Sequence, residues 1–238
     1  MTNKWLKVAL MVTAIATGTS IKIDAETVLY VPQDDRPVSL QYTVDTAREA
    51  GMTVLTPPQH LISGKKYQGQ ADQIMAWVEQ NAGRADVMVL STDTLIYGGL
   101  VDSRKHNIPL STLQNRLKRI EGLKARNKNV RIYGFGTVMR SPRASGGGTE
   151  PAYYAEYGPT IFQIAALQDK LDSGSLTQEE TQKLMSLQAS VPVEYLQDWF
   201  DRRQKNMKIN KELIDETRSG VFDYFALGHD DTSQLSQS

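Results

Sequence analysis

Five short apolar segments, separated by helical patterns, constrain the fold of this chain more than any other feature. They are rich in Val, Leu, Ile, Tyr and Phe and apolar almost throughout, as strands covered on both faces of a sheet tend to be. The segments are Thr27–Val31, Thr53–Leu55, Val87–Leu90, Val130–Phe135 and Tyr224–Leu227. Strands that alternate with helices favour a parallel sheet with right-handed crossovers.

The stretches between the first four segments have the periodicity of helices. Ser39–Ala50 carries apolar residues at spacings of four and three and stops at Gly51, and similar stripes run through Gln70–Asn81 and Ser111–Ala125. The pattern predicts an α/β fold: a mainly parallel sheet with helices on both faces, doubly wound and Rossmann-like. The N-terminal part of a (β/α)8-like barrel stays open as an alternative.

A much longer interval separates the fourth and fifth segments. It begins with a glycine-rich loop at Ser145–Pro151 and continues with three helical patterns, Tyr154–Leu171, Thr177–Ala189 and Val193–Arg218. We expect one α/β domain, residues 26–238, with a helical insertion at about 151–219 that covers the carboxyl edge of the sheet. No helical pattern follows the fifth segment to cover it, which favours a domain truncated at its C-terminus.

The N-terminus has the layout of a secretory signal peptide. Lys4 and Lys7 precede an apolar run over residues 8–16, and small and polar residues then lead to Ala25. We therefore expect cleavage after residues 1–25 and a secreted or cell-envelope protein, extracellular or periplasmic. No later segment stays apolar for the roughly 18 residues of a membrane helix, so no stable membrane span is expected.

Composition excludes several classes of function. Lys and Arg together number 27, as do Asp and Glu, and the predicted cleavage would remove three lysines and one aspartate. A slightly acidic chain has no concentrated basic face for nucleic acid. The absence of Cys excludes disulfides, Cys-ligated zinc and thiol catalysis. Neither the G-x-S-x-G elbow nor the phosphate loop G-x-x-x-x-G-K-[ST] is present.

Polar and charged residues follow the predicted strands. In a parallel sheet these positions share the carboxyl edge, where ligands of such folds bind. We predict that Asp93, Asp230 and Asp231 are catalytic. The substrate-binding candidates at the same edge are Asp34, Asp35, Arg36, Gly98, Gly99, Arg104, Arg140 and Arg143.

Some of these residues also have purely structural interpretations. Asp35, followed by Arg36 and Pro37, would be a suitable cap for the first helix. Gly98 and Gly99 would allow positive φ angles or a close approach of two backbone segments.

The last helical pattern adds a second group of polar residues. Arg203, Asn206 and Asn210 recur at spacings of three and four, so they share one face of a helix. If the insertion covers the carboxyl edge, the amides of Asn206 and Asn210 would bind a polar substrate.

Six motifs in this order resemble a bacterial family, domain of unknown function 4127. They are VPQDDRPV, TDTLIYGGLVDSR, TVMRSPR, YYAEYGPTIF, RRQKNMKIN and FALGHDD. The resemblance implies that the chain corresponds to the N-terminal half of family members, and that most of the edge residues named above are family positions. Two residues depart from the family pattern: His229 replaces Gln, and Met207 replaces His.

A carboxylate pair at one cleft is what glycosidic bond cleavage requires, as general acid and as base or nucleophile. We therefore predict an exported hydrolase that acts on glycans, with Asp93 paired with Asp230 or Asp231. The expected ligand is a carbohydrate or another polar small molecule, and arginines at the edge suit an anionic one.

Two alternatives remain. Asp34, Asp35, His229, Asp230 and Asp231 would suit a hard or borderline divalent ion, so a metal-dependent phosphoesterase or deacylase stays open. No spacing as specific as H-E-x-x-H is present, so no metal ligand or certain cofactor is assigned. The other alternative is a non-catalytic ligand-binding protein or an inactive fragment.

Overall fold

A computed structural model describes residues 25–144, 147–230 and 236–237. The predicted signal peptide lies outside the described residues except for Ala25, and the predicted catalytic residue Asp231 also lies outside them.

The domain is built on a five-stranded parallel sheet. Its strands lie side by side in the order β2-β1-β3-β4-β6. They are β1 (Thr27–Val31), β2 (Thr53–Leu55), β3 (Val87–Ser91), β4 (Arg131–Val138) and β6 (Tyr224–His229). Two short strands, β5 (Ser141–Pro142) and β7 (Ser236–Gln237), form a separate antiparallel pair. The predicted α/β fold with a mainly parallel sheet is confirmed.

The strand order also decides between the open sheet and the barrel. Val28 of β1 pairs with Val54 of β2 on one side and with Val87 of β3 on the other. In a (β/α)8 barrel successive strands are neighbours, so β2 would lie between β1 and β3. The barrel alternative is therefore wrong for this sheet, whose order is that of doubly wound flavodoxin-like folds.

Eight α-helices lie within the described part of the chain. They are α1 (Gln41–Glu49), α2 (Ala71–Asn81), α3 (Thr92–Tyr97), α4 (Leu100–Lys105), α5 (Leu110–Arg126), α6 (Tyr154–Asp172), α7 (Gln178–Ala189) and α8 (Val193–Arg218). The six longer helices occupy the predicted helical patterns. The short helices α3 and α4 were not predicted.

The side chains of each strand alternate between the two faces of the sheet. Leu29, Met88 and Ile132 point to one face, where they are fully buried in a core with residues of α2, α5 and α8. On the other face Tyr30 of β1 lies beside Ala47 of α1. Helices therefore lie on both faces of the sheet, as in a doubly wound fold.

A second core joins the long helices α6 and α8 to the end of β4. Its centre is Trp199, fully buried, with its ring centroid 4.4 Å from that of Tyr154. The Trp199 indole donates to Ser141 Oγ at 3.2 Å, and the Tyr154 hydroxyl donates to the Pro142 carbonyl at 2.8 Å. These bonds hold the helices against β5, just beyond the carboxyl end of β4.

None of the helices in the described residues combines the length and the apolar character needed to cross a membrane.

Candidate functional site

The sheet has a topological switch point between β1 and β3, because the chain leaves β1 for β2 on one side and returns to β3 on the other. In such folds the crevice beyond the carboxyl ends of these two strands is the usual ligand site. Residues from the two sides meet here. Gln33, just after β1, donates from Nε2 to Asp93 Oδ2 at 2.9 Å, and Asp93 follows β3.

Asp93 is a buried carboxyl in the first turn of α3. A second donor, Thr137 Oγ1 on β4, lies 2.8 Å from the same Oδ2. Burial raises the pKa of Asp93 to about 6; the hydrogen bonds from Gln33 and Thr137 oppose the rise, and the nearby carboxylate of Asp230 adds to it. Asp93 therefore exchanges its proton close to neutral pH, as an acid–base catalyst must.

Arg104 and Asp230 form a buried, two-pronged ion pair. Arg104 donates from Nε to Oδ2 at 2.7 Å and from Nη2 to Oδ1 at 2.6 Å, and the two side chains are 6% and 3% exposed. The pair joins α4 to the segment that follows β6. Bidentate contacts of this kind are among the strongest charged interactions in proteins.

Sequence reasoning missed Glu150, which extends this pair into a cluster. Its side chain is fully buried and accepts from Arg140 Nη2 at 2.8 Å, while Arg104 Nη1 lies 3.9 Å away. Arg140 Nε is also 3.9 Å from Asp230 Oδ2. Arg104, Arg140, Glu150 and Asp230 thus form a cluster that, within the described residues, joins two positive and two negative side chains. In the sequence Glu150 is a lone acid in a glycine-rich loop, with no pattern that indicates burial.

The loop after β1 brings further charges to this edge. Arg36 Nε donates to Asp34 Oδ2 at 2.8 Å, and the Arg36 side chain is 54% exposed. This hydrogen bond raises the pKa of Arg36, and the carboxylates of Asp230 and Asp35 add to the rise. Arg36 therefore lies within electrostatic reach of Asp230.

The idea that Asp35 caps the first helix is wrong. The N-cap of α1 is Leu40, which makes no side-chain capping bond. Asp35 instead accepts from the Tyr67 hydroxyl, and its backbone N–H donates to the Ser63 carbonyl at 2.9 Å. Asp35 thus fastens the loop after β1 to the loop after β2.

Comparison of the sequence with known protein families identifies the family of this chain. Residues 28–238 match the family described as "Protein of unknown function (DUF4127)". The chain belongs to this family. No curated protein matches the chain, and no solved structure does.

The two glycines of the family motif TDTLIYGGLVDSR form the turn between α3 and α4. Gly98 has φ +111°, and a Cβ there would lie 2.8 Å from the Gly69 carbonyl oxygen. A Cβ on Gly99 would lie 1.8 Å from Ser63 Oγ. This close approach sets the start of α4, which carries Arg104, relative to α3, which carries Asp93.

Substituting Gly98 with alanine is expected to lower the free energy of unfolding by about 1–3 kcal/mol. The new Cβ would meet the Gly69 backbone, and the positive φ is strained for any L residue. Chemical denaturation measures the loss. The matched control is Gly83→Ala, where a Cβ meets nothing within 4 Å. Equal stability of the two variants would contradict the prediction.

The two asparagines predicted to bind substrate, Asn206 and Asn210, bond to different parts of the structure. Asn206 is buried; its Nδ2 donates to the Ser103 carbonyl at 2.8 Å, and its Oδ1 lies 2.8 Å from His106 Nε2. Asn206 therefore joins α8 to the end of α4. Asn210 donates to the Thr137 carbonyl at 3.3 Å, so it supports the residue that bonds Asp93.

Two further candidates, Arg143 and His229, lie exposed on the surface of the protein. Within the described residues no three His, Asp or Glu side chains are grouped so that they would hold a metal ion, and Asp231 lies outside those residues.

Proposed function

We propose that the chain is an exported hydrolase of glycans in which Asp93 transfers the proton. One observation supports the proposal most directly. Asp93 is a buried carboxyl with a pKa of about 6 at the switch point of the sheet, and it accepts hydrogen bonds from Gln33 after β1 and from Thr137 on β4. Perturbed titratable groups in a crevice are typical of catalytic sites.

Glycosidic cleavage needs an acid for the leaving oxygen and a second carboxylate as base or nucleophile. Asp93 suits the acid, because burial keeps its proton in place at pH values where ordinary carboxyls have lost theirs. Asp230, in its ion pair with Arg104, is the candidate for the second carboxylate. Asp231, next in sequence, is the other candidate.

A substrate would approach Asp93 past Gln33. This side chain is partly exposed and donates to the carboxyl. A sugar hydroxyl that displaced the Gln33 amide would reach Asp93 directly. Arg36 and Arg143 are exposed cations at the same edge, so they would bind an anionic group on the sugar. Export would bring the protein to glycans of the cell envelope.

The first test is turnover by the purified full chain on polysaccharides and 4-nitrophenyl glycosides, followed as new reducing ends or released nitrophenol. The Asp93→Asn variant is expected to lose nearly all activity, because the amide cannot transfer the proton; removal of a general acid typically lowers the rate by about 10²–10⁴-fold. Asp45→Asn, an exposed aspartate on α1, is the matched control and should keep full activity.

Full activity of Asp93→Asn would reject Asp93 as the proton donor. Saturable binding of glycans without turnover by the wild-type chain would reject the hydrolase and favour the non-catalytic binding protein.

A further inference from the structure

A cleft of about 840 Å³ opens between the long helices and the end of β4. It lies beside the cluster of Arg104, Arg140, Glu150 and Asp230 but includes none of these residues. Its apolar lining comes from the end of β4 and from α6 and α8: Met139, Ala165, Leu196 and Phe200. The volume is typical of small-molecule sites, and these apolar residues share the lining with a larger number of polar and charged ones.

Arg203 is the polar feature that distinguishes this cleft. It lines the cleft, and its Nη1 donates to the Met139 carbonyl and, at 3.2 Å, to Ser141 Oγ. Within the described part of the chain these neutral groups are its only hydrogen-bond partners, and it forms no salt bridge there. Burial lowers the pKa of Arg203, and the electrostatic effects of Tyr154 and of the Asp169 carboxylate on α6 partly oppose this.

A partly buried guanidinium whose hydrogen bonds all go to neutral groups of the described residues favours an anion from outside the chain. Only Nη1 is used by the described residues, so Nε and Nη2 remain as donors, a geometry suited to a carboxylate or phosphate. Lys208 and Lys211 on α8 add positive charge at the rim, whereas Asp169 and Asp172 lie on α6. An anion is therefore favoured on the α8 side.

We propose that this cleft binds an anionic amphiphile. The acidic group of the ligand pairs with Arg203, and the apolar body lies over Met139, Leu196 and Phe200. The site goes beyond the proposed hydrolase, because nothing in it depends on the chemistry of Asp93. Its polar lining contacts the catalytic edge through Asn210, which bonds the Thr137 carbonyl, and through Asn206, which bonds the Ser103 carbonyl on α4.

Binding of decanoate to the full chain, measured by isothermal titration calorimetry, tests the proposal. Decanol supplies the same apolar body without charge, and acetate and inorganic phosphate supply an anion without the body. Saturable one-to-one binding of decanoate, at least about tenfold tighter than that of decanol, is the expected result, since a charged hydrogen bond contributes that much. Acetate and phosphate should bind far more weakly.

Two variants locate the ligand. Arg203→Met keeps an apolar side chain of similar length but removes the charge, so decanoate binding should weaken about tenfold or more. Gln168→Trp places a large ring at the rim, leaves Arg203 intact and should block the cleft. Arg218→Met, an exposed arginine on the same helix, is the matched control and should bind like the wild type.

Thermal melts of each variant show whether it is folded. Gln168→Trp tests the site even if Arg203→Met is unstable. No decanoate binding by the wild type, decanol binding as tight as decanoate binding, or unchanged binding in a folded Gln168→Trp variant would each overturn the proposal. Loss of hydrolysis in Asp93→Asn has no bearing on any of these results.

Discussion

Replacing Arg104 with methionine is expected to lower the free energy of unfolding by about 3–5 kcal/mol, the range found when one partner of a buried ion pair is removed. Arg104 makes two hydrogen bonds to Asp230 and lies 3.9 Å from Glu150, and all three side chains are buried. Without it, the two buried carboxylates would lose a partner that contacts both of them. Equilibrium unfolding in urea measures the loss.

The control for Arg104 is Arg218→Met. Arg218 forms a salt bridge of 2.7 Å with Asp215, close to the 2.6 Å of Arg104 with Asp230, but its side chain is 75% exposed. Exposed pairs contribute only about 0–1 kcal/mol. The double variant Arg104→Met/Asp230→Leu should recover part of the lost stability, because it removes the unpaired charge as well. A loss in Arg104→Met no larger than in Arg218→Met would contradict the prediction.

The sheet was the most predictable part of the structure. The limits of β1 and β2 agree with those predicted, because both are short runs rich in Val and Leu that are followed by residues of low strand propensity. The predicted fourth and fifth strands were too short at their carboxyl ends. Gly136 and Gly228 lie in the missed portions, and glycine is disfavoured in strands, so the apolar signal stops before the ladder does.

The helices α3 and α4 show where periodicity fails. Each has six residues, fewer than two turns, so no apolar stripe can develop. The sequence nevertheless contains residues that mark the start and the end of α3. Ser91 caps α3 by accepting from the Thr94 N–H at 3.3 Å, and Gly98 ends it with a positive φ.

The candidate site was predictable as a location but not as a set of contacts. Strand order along a parallel sheet places Asp34, Asp93, Arg140 and Asp230 at one edge, whatever their partners. Which carboxylate pairs with which arginine depends on tertiary distances. Asp230 and Arg104 are 126 positions apart in sequence, and neither residue type nor spacing indicates that they meet.

The buried carboxyl of Asp93 makes the stability of the folded protein depend on pH. The pKa of an aspartate is ordinarily near 3.8, and in the folded protein burial raises it to about 6. The folded state therefore holds this proton more tightly than the unfolded chain does. The stability that this proton contributes is fully present below pH 3.8 and is lost as the pH rises through 6.

Asp93→Asn is therefore expected to stabilise the protein at pH 7 while it removes the proposed activity. A pKa difference of about two corresponds to about 3 kcal/mol at 1.36 kcal/mol for each pH unit. The asparagine does not ionise, and its side-chain oxygen can accept the bonds from Gln33 and Thr137 that Asp93 accepts. The stability difference between variant and wild type should grow by most of this amount between pH 4 and pH 7, as measured by urea unfolding at each pH.

The pH dependence separates this effect from any change in packing. A packing change would shift the stability of Asp93→Asn by the same amount at every pH, whereas removal of a titrating group changes the slope. Asp45→Asn, the exposed control on α1, should show a flat difference from the wild type over the same range. A flat difference for Asp93→Asn as well would mean that folding does not raise the pKa of Asp93. It could not then serve as the acid, so the proposed mechanism requires both loss of turnover and gain of stability in the same variant.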